Sequence, residues 1–385
     1  MPILPPLALY IHFPWCLRKC PYCDFNSHEF QGDVSVIQHA YVQALVSHLN
    51  GLSPLIAGRL VYSIFIGGGT PSLIAPQALK QLLEQVKHSI QMAPGCEVTL
   101  EANPGTFEAQ RFSAFREAGV TRLSLGIQSF NDDKLKALGR IHNAKQARRA
   151  IEEARLVFNT FNLDLMYALP GQSLDELKRD LEAALAYEPP HMSLYHLTLE
   201  PNTYFAKYPP DVPDDDMASQ MLDVIAGYTQ CAGLKRYEVS AYARDGHQCL
   251  HNRNYWEFGD YLGIGAGAHG KLTAYDGVSL RVSRHVQHRD PTLYMKKVHE
   301  GCQFAQWHDV PALELPFEFM LGALRLKEGV SPHLFVQRTG LPLSAVEKTL
   351  HRAVSMGLLK THRQAIRPTA KGFDFLSDLQ ELFLP

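Results

Sequence analysis

The sequence predicts an α/β fold, a parallel sheet with helices outside it, followed by a small helical, winged-helix-like module at the C-terminal end. Two observations carry this expectation. Over the first two-thirds of the chain, short apolar runs alternate about six times with segments of helical periodicity, the rhythm of repeated βα units. From about residue 312 the character changes to short helix-period segments followed by a ribbon-like stretch.

The elements follow in order. "LALYIHF" (7–13) reads as the first strand. "LVYSIFI" (60–66) is the second and runs into "GGGTPS"; residues 76–91 then have helical periodicity. "CEVTLEAN" (96–103) is a strand backed by a helix near 107–118. "TRLSLGIQS" (121–129) is a strand, with helices near 131–138 and 144–156. "FNLDLMYALP" (161–170) ends in a Pro-Gly turn before a helix over 173–187, and "HMSLYHLTL" (191–199) continues the repeat. Residues 200–215, rich in Pro and Asp, read as a boundary loop. A helix over 216–232, "KRYEVSAYA" (235–243) and an aromatic, glycine-rich stretch over 251–270 come next. Helices over 312–327, 331–339 and 343–356, the ribbon "GLLKTHRQAIRPTAKG" and a last helix over 371–382 form the module. The expected division is 1–215, its continuation over 216–310, and 311–385.

Composition narrows the function. A formal charge of −2 and a pI near 6.8 offer no electrostatic reason to bind nucleic acid. No apolar run reaches the ~20 residues of a membrane span. The N-terminus lacks the basic start and small-residue cleavage site of a signal peptide, so the expected location is a reducing cytosol. Seven cysteines is an odd number, and Cys96, Cys231, Cys249 and Cys302 lie far apart. Clustered thiols in such a compartment point to metal or redox chemistry rather than to disulfides.

The cluster is Cys16, Cys20 and Cys23, spaced C-x3-C-x2-C. Structural zinc favours four ligands in two knuckles, and no second CxxC is present. Thiolates on one short loop suit three irons of a cubane, with the fourth iron left for a small molecule. Arg18 and Lys19 lie inside the loop, where positive charge favours thiolates. In "GGGTPS" (67–72), three consecutive glycines let backbone approach a ligand; this is not a phosphate P-loop, because "GKS" or "GKT" is absent. Glu101, Gln128 and Asp164 end consecutive strands. Each alone serves equally as a cap or turn former; together they suggest a binding rim, where Asp can accept from ribose hydroxyls. Arg140, in "LGRIH", can pair with a carboxylate.

The cysteine spacing after a first strand resembles the signature of the radical S-adenosylmethionine (SAM) enzymes. That resemblance implies a partial (β/α)6 barrel, a [4Fe–4S] cluster on Cys16, Cys20 and Cys23, and SAM on the open iron. "YIHFPWCLRKCPYCDF", "FIGGGTPS", "EANPGT", "LSLGIQSFN", "LGRIH" and "LDLMYALPGQ" are similar, in this order, to the coproporphyrinogen III oxidase-like branch, over roughly residues 7–380. By the same resemblance Gly68, Gly69 and Thr70 contact the methionine part of SAM, Tyr10 lies beside the sulfonium and cluster, and Glu101, Gln128, Arg140 and Asp164 are further SAM contacts. His12 also matches the pattern.

Two departures redirect the function. The oxidases carry a further cysteine where Phe25 stands, and a longer N-terminal segment where only 15 residues precede Cys16. Both departures resemble the sister group, the HemW-type heme chaperones. "HNRNYW" (251–256) is similar to their "HNxxYW" pattern, which implies heme binding at His251. Chemistry alone favours a turn for His251 and Asn252 and core places for Tyr255 and Trp256; the resemblance tips the reading to heme. His269, in "LGIGAGAHG", is a weaker heme candidate, and Cys249 reads as a buried thiol.

The expectation is therefore a cytoplasmic heme chaperone that binds heme, a [4Fe–4S] cluster and SAM. It delivers heme to apo-hemoproteins such as respiratory or heme-storage proteins. An electron donor for the cluster is implied, nucleic acid is not, and no catalytic residue is assigned. A homodimer and a peripheral membrane association stay open. The alternative is an oxygen-independent coproporphyrinogen III oxidase that decarboxylates propionates. A nucleic-acid regulator would rest on Lys360, His362, Arg363, Arg367 and Lys371, beside an acidic, apolar last helix.

Overall fold

The computed structural model describes residues 3–30, 35–106, 109–361 and 364–385. His362, Arg363 and the expected start of the helix near 107 lie outside the described residues.

Six strands form the predicted repeat: β1 (Leu7–Phe13), β2 (Leu60–Gly68), β3 (Gln91–Ala102), β4 (Arg122–Gln128), β5 (Phe161–Tyr167) and β6 (His191–His196). They pair in parallel in that order. Each is followed by helix, Ser35–Leu52 after β1, Pro76–Ser89 after β2 and Leu174–Leu185 after β5 among them. The short strands β7 (Lys235–Arg236) and β8 (Ala241–Ala243) extend the β6 edge antiparallel. On the other side of β1 lies β9 (Asp260–Ile264), also parallel, and beyond it run β10 (His269–Tyr275), β11 (Leu280–Val286) and β12 (Gln306–Asp309), antiparallel. The sheet is open, ending on β12 and β7, so the barrel is partial.

A period-2 alternation explains both faces. Leu9 and Ile11, Leu123 and Leu125, and Leu163 and Leu165 are buried in the main core cluster, which the surrounding helices share through residues such as Tyr41, Leu83, Phe115 and Ile151. The alternate positions are polar: Tyr10 and His12, Ser124, Asn162 and Asp164, His191 and Ser193. Local signals set the helix starts. Ser173 and Glu176 form a capping box at Leu174, and Asn143 and Gln146 another at Ala144.

Some boundaries differ from expectation. β3 begins at Gln91 rather than 96, because Gln91 and Met92 pair with Leu60 and Val61 before the register slips. The slip falls at Pro94, which lacks an N–H, and Gly95, whose φ is +72°. In the module, the helix expected over 312–327 spans Leu315–Ala323, and that over 343–356 splits into a 3-10 turn and Glu347–Ser355. The ribbon consists of two isolated bridges, Val330 to Ile366 and Leu359 to Pro368. The last helix breaks at Phe375 into Ala370–Asp374 and Leu376–Glu381. A second apolar cluster, including Phe319, Phe335, Leu350, Ile366 and Leu379, takes in Phe258 and Val282 from the sheet side.

A buried ion group joins these parts. Asp260, at the start of β9, accepts from Lys271 Nζ at 2.7 Å, Arg59 Nη2 at 2.8 Å and Thr273 Oγ1 at 2.7 Å. Lys271 also donates to the Phe258 carbonyl at 3.0 Å and sits 4.2 Å from the centre of its ring. Burial disfavours the Asp260 charge, but Lys271 and Arg59 outweigh it and hold the carboxyl below its ordinary value. Lys271→Met is expected to lower the unfolding free energy by about 3–5 kcal/mol, since it strips a partner from a fully buried carboxylate. Urea denaturation checks this.

Candidate functional site

The cysteine loop is built directly onto β1. A two-residue strand, Trp15–Cys16, pairs with His28–Glu29 and closes the loop. The "GGGT" turn after β2 then grips its base: Gly69 N donates to Phe13 O at 2.7 Å and Thr70 N to Trp15 O at 2.8 Å. A Cβ at Gly69 would lie 2.6 Å from the Trp15 oxygen, and one at Gly68, where φ is +117°, would lie 2.5 Å from the His12 ring. No other residue permits these approaches.

Lys19 favours the Cys23 thiolate by its charge, as expected, and has a second task. Lys19 Nζ donates to the carbonyls of Phe25 at 3.2 Å and Ser27 at 3.1 Å, pinning the loop shut. The guanidinium that reaches a cluster thiol is that of Arg140, whose Nη1 lies 3.5 Å from Cys20 Sγ while Nη2 donates to Gly126 O at 3.0 Å. Its Nε is buried without a partner among the described residues. Burial pushes the Cys16 and Cys23 thiols up, opposed by hydrogen bonds with Thr70 and Ser27 respectively. Iron ligation takes thiolates and releases those protons. Among the described residues no three His, Cys, Asp or Glu side chains meet closely enough to hold a single metal ion. In a cubane each thiolate takes its own iron, so the sulfurs need not meet at a point.

Glu101 and Gln128 stand at the C-terminal ends of β3 and β4, where ligands of such sheets are held, whereas Asp164 lies mid-strand in β5 rather than at the end expected of it, level with Tyr10 in the middle of β1. Tyr10 OH and His12 Nδ1 are 2.9 Å apart, and His12 Nε2 lies 2.8 Å from Asn26 O. Burial lowers His12 to about 4, so it is neutral, with Nε2–H donating to Asn26 and Nδ1 accepting from Tyr10. Glu101 Oε2 accepts from Gly68 N at 3.1 Å. Asp164 accepts from Ser124 Oγ and Asn162 Nδ2, both at 2.8 Å. Gln128 ends β4 at φ +66°. Its amide and the Arg140 guanidinium both overhang Gly126, within 3.2 and 3.3 Å of where a Cβ would stand.

Burial, then the Asp164 charge, push the Glu101 carboxyl up to about 8 against the Gly68 N–H. Burial raises the Asp164 carboxyl as well, against the hydrogen bonds from Ser124 and Asn162.

Sequence reasoning missed the polar chain beneath this rim. His191 Nδ1 lies 2.6 Å from Asn162 Oδ1, Ser193 Oγ donates to the same oxygen at 3.1 Å, and Asn162 Nδ2 donates to Ser124 Oγ at 2.7 Å. The signal was present as polar residues at every second strand position.

His251 is not in a turn. It lies on the helix Leu250–Trp256 and is 1% exposed. The helix delivers it to the inner face, stacked on Phe65 at 5.0 Å between ring centres and 6.3 Å from Tyr10. Both ring nitrogens are engaged: Nδ1 with Ser63 Oγ at 3.1 Å and Nε2 with Tyr255 OH at 3.0 Å. Burial lowers it to about 3, so it is a neutral imidazole. Trp256 packs against the second cluster under the Arg325 guanidinium, 4.2 Å from its ring centre. His269 is exposed and its side chain makes no hydrogen bond to a described residue. Cys249 is buried, as expected, with Sγ 3.6 Å from Glu97 Oε1.

A partial βα barrel whose first strand runs into a three-cysteine loop, with a glycine turn folded under that loop, defines the radical SAM class. The sequence model of the Radical SAM superfamily matches residues 10–184, and that of the HemN C-terminal domain matches 310–375. The fold is similar to that of coproporphyrinogen III oxidase (HemN) from Escherichia coli, with a TM-score of 0.83 at 21% identity over 99% of this chain and 90% of that one. The chain is 46% identical to the heme chaperone HemW of Haemophilus influenzae, over 100% of this chain and 99% of the relative. It is equally 46% identical to the heme chaperone HemW of Escherichia coli, over 99% of each. It is 36% identical to the mitochondrial radical S-adenosyl methionine domain-containing protein 1 of Mus musculus, over 98% of this chain and 87% of that protein. The chain belongs to the HemW family.

The Glu101 shift has a measurable consequence. The folded carboxyl titrates near 8 and the unfolded one near 4.5, so between these values the folded chain binds the extra proton. This contribution to stability falls as pH rises through that window, by up to about 1.4 kcal/mol per pH unit. Glu101→Gln is expected to remove it. Urea denaturation of both proteins from pH 5 to pH 8 should show the variant gaining on the wild type as pH rises.

Proposed function

We propose that this chain is a heme chaperone that binds heme, a [4Fe–4S] cluster and SAM, and passes heme to apo-hemoproteins in the cytoplasm. The observation that carries this reading is the 46% identity, over the whole chain, to proteins named heme chaperone HemW. Phe25 supports it: the position where the oxidases carry a further cysteine holds a phenyl ring, 60% exposed. No helix among the described residues is long and apolar enough to cross a membrane.

In this reading Cys16, Cys20 and Cys23 hold the cluster. Three thiols on one closed loop, with a guanidinium on the Cys20 sulfur, are a suitable donor set. Gly68, Gly69 and Thr70 bring backbone against the methionine part of SAM, and Tyr10 flanks it. Asp164, locked by Ser124 and Asn162, offers a carboxylate to the ribose hydroxyls. Gln128, Glu101 and the free Nε of Arg140 complete the cleft. When bound, the cluster supplies an electron that can cleave the SAM sulfonium. His251 presents neutral imidazole, the form that ligates iron; its Nε2 must exchange the Tyr255 hydroxyl for the metal. Respiratory or heme-storage proteins are the acceptors, a reduced donor feeds the cluster, and a homodimer is the form to look for.

Replacing Cys16, Cys20 and Cys23 with Ser is expected to abolish the iron–sulfur absorbance of anaerobically reconstituted protein; its survival would overturn the core assignment. Heme titration of the wild type should give a saturable Soret band, and His251→Ala should shift or weaken it. An identical band and affinity would remove His251 as ligand. Incubation with coproporphyrinogen III, SAM and reductant should yield no protoporphyrinogen, and its appearance would favour the oxidase instead.

A further inference from the structure

At the end of the barrel opposite the cysteine loop lies a groove of about 960 Å3. Its walls are the chain entering β1, the start of β2, the β10–β11 hairpin and the helix Pro332–Thr339 of the C-terminal module. Its volume is at the upper end for sites that take drug-sized ligands. β1 spans seven residues, so the groove is separated from the cysteine loop by roughly 20 Å of strand.

Two features set the groove apart from an ordinary surface cleft. The first is apolar exposure. Leu60, Tyr62, Tyr275, Val278 and Val336 line it, and all are exposed large side chains; Val278, in the hairpin turn, is 90% exposed. The second is a buried cation with nothing to bind. Arg338 lines the groove, is only 9% exposed, and its side chain makes no hydrogen bond or ion pair to any described residue. Its Nε is fully buried without a partner.

The surrounding charges do not neutralise it. Asp260 and Glu257 are the carboxylates that Arg338 feels, and Arg59 is the opposing cation. Asp260 is already taken by Lys271 and Arg59, and Glu257 by Arg253. The rest of the Arg338 guanidinium stays open to the groove, so an anionic group placed there would satisfy the orphaned Nε and the accessible fork together.

We propose that this groove is a porphyrin site, in which Arg338 binds a propionate carboxylate and the apolar walls cover the macrocycle. The proposal rests on the heme-chaperone reading and deepens it with a second porphyrin site, at the barrel end remote from the cysteine loop. An amphipathic ligand with a flat apolar body and an anionic edge satisfies both features at once. A purely apolar ligand leaves Arg338 unpaired, and a small anion leaves the walls wet. His251 does not line the groove, so this site holds the macrocycle by its carboxylate and faces alone and is distinct from the one at His251.

Metal-free protoporphyrin IX and its dimethyl ester separate these contributions, because neither engages an axial ligand. Porphyrin fluorescence titrations of the full chain read the affinity. The wild type is expected to bind the diacid about tenfold more tightly than the ester, the loss of one charge-assisted hydrogen bond. Arg338→Ala should weaken diacid binding about tenfold and abolish the preference. Its melting temperature should be unchanged or raised, because an unpaired buried charge has been removed. Val278→Glu, at an exposed turn where folding is not at risk, should weaken both ligands. Equal binding of diacid and ester by the wild type, or unchanged diacid affinity in either variant, would overturn the groove assignment while wild-type heme binding keeps the chaperone reading intact. A wild type that binds neither heme nor protoporphyrin would overturn both.

Discussion

Two backbone hydrogen bonds hold the functional end of this molecule together. Gly69 and Thr70 donate to Phe13 and Trp15, so the turn after β2 is stitched to the chain that becomes the cysteine loop. The stitch requires glycine at two positions, because any side chain would strike the Trp15 carbonyl or the His12 ring. Everything around it is placed by consequence. Gly68 N–H is directed at Glu101, His12 is clamped between Tyr10 and Asn26, and Cys16 is fixed at the loop's buried end. A loop of three thiols on a free tether would lose its geometry to conformational entropy; here its base is part of the sheet.

Charge is distributed unequally along the barrel. On the cleft side, Glu101 and Asp164 face each other, and burial raises both carboxyls. At the opposite end, Lys271 and Arg59 pair with Asp260, and Arg338 feels Asp260 and Glu257 without pairing with either. The acidic rim faces the cleft suited to a cationic cofactor, and the cationic foot faces an apolar groove. The polar chain through Ser124, Asn162, Ser193, His191 and Tyr237 fills the interior between them with satisfied hydrogen bonds. Such a network, with its donors and acceptors satisfied by one another, rigidifies the interior.

The helix that carries His251 illustrates how a motif changes meaning in three dimensions. As a string, "HNRNYW" offered either a turn or a ligand set. Folded, it is a helix packed under the barrel, with His251 held by Ser63 from β2 and by Tyr255 one turn away. The i to i+4 spacing that joins His251 to Tyr255 is a property of the helix, whereas the Ser63 contact bridges 188 positions of sequence.

Much of the architecture was legible in the chain itself. Strand and helix periodicities are local, so the six βα units, the strand-end places of Glu101 and Gln128, and the cysteine loop after β1 could be read from residues and spacing, whereas β5 runs three residues past Asp164 because its pairing with β6 continues. The short module helices were less legible, because tertiary packing rather than periodicity ends them, as at Phe375. The pairing of charges lay beyond the sequence. Lys19 sits inside the cysteine loop yet closes it through carbonyls, while Arg140, 120 positions from Cys20, reaches the thiol. Asp260, Lys271 and Arg59 become one ion group, and Arg338 an unpaired cation, only when β1, β2, β9, β10 and the module are brought to one end of the sheet. Sequence determines which groups can form a strand or a helix because those interactions span a few residues. Only the tertiary structure decides which charge meets which, because Coulomb energy and desolvation depend on distance and burial, and neither is written in the order of the chain.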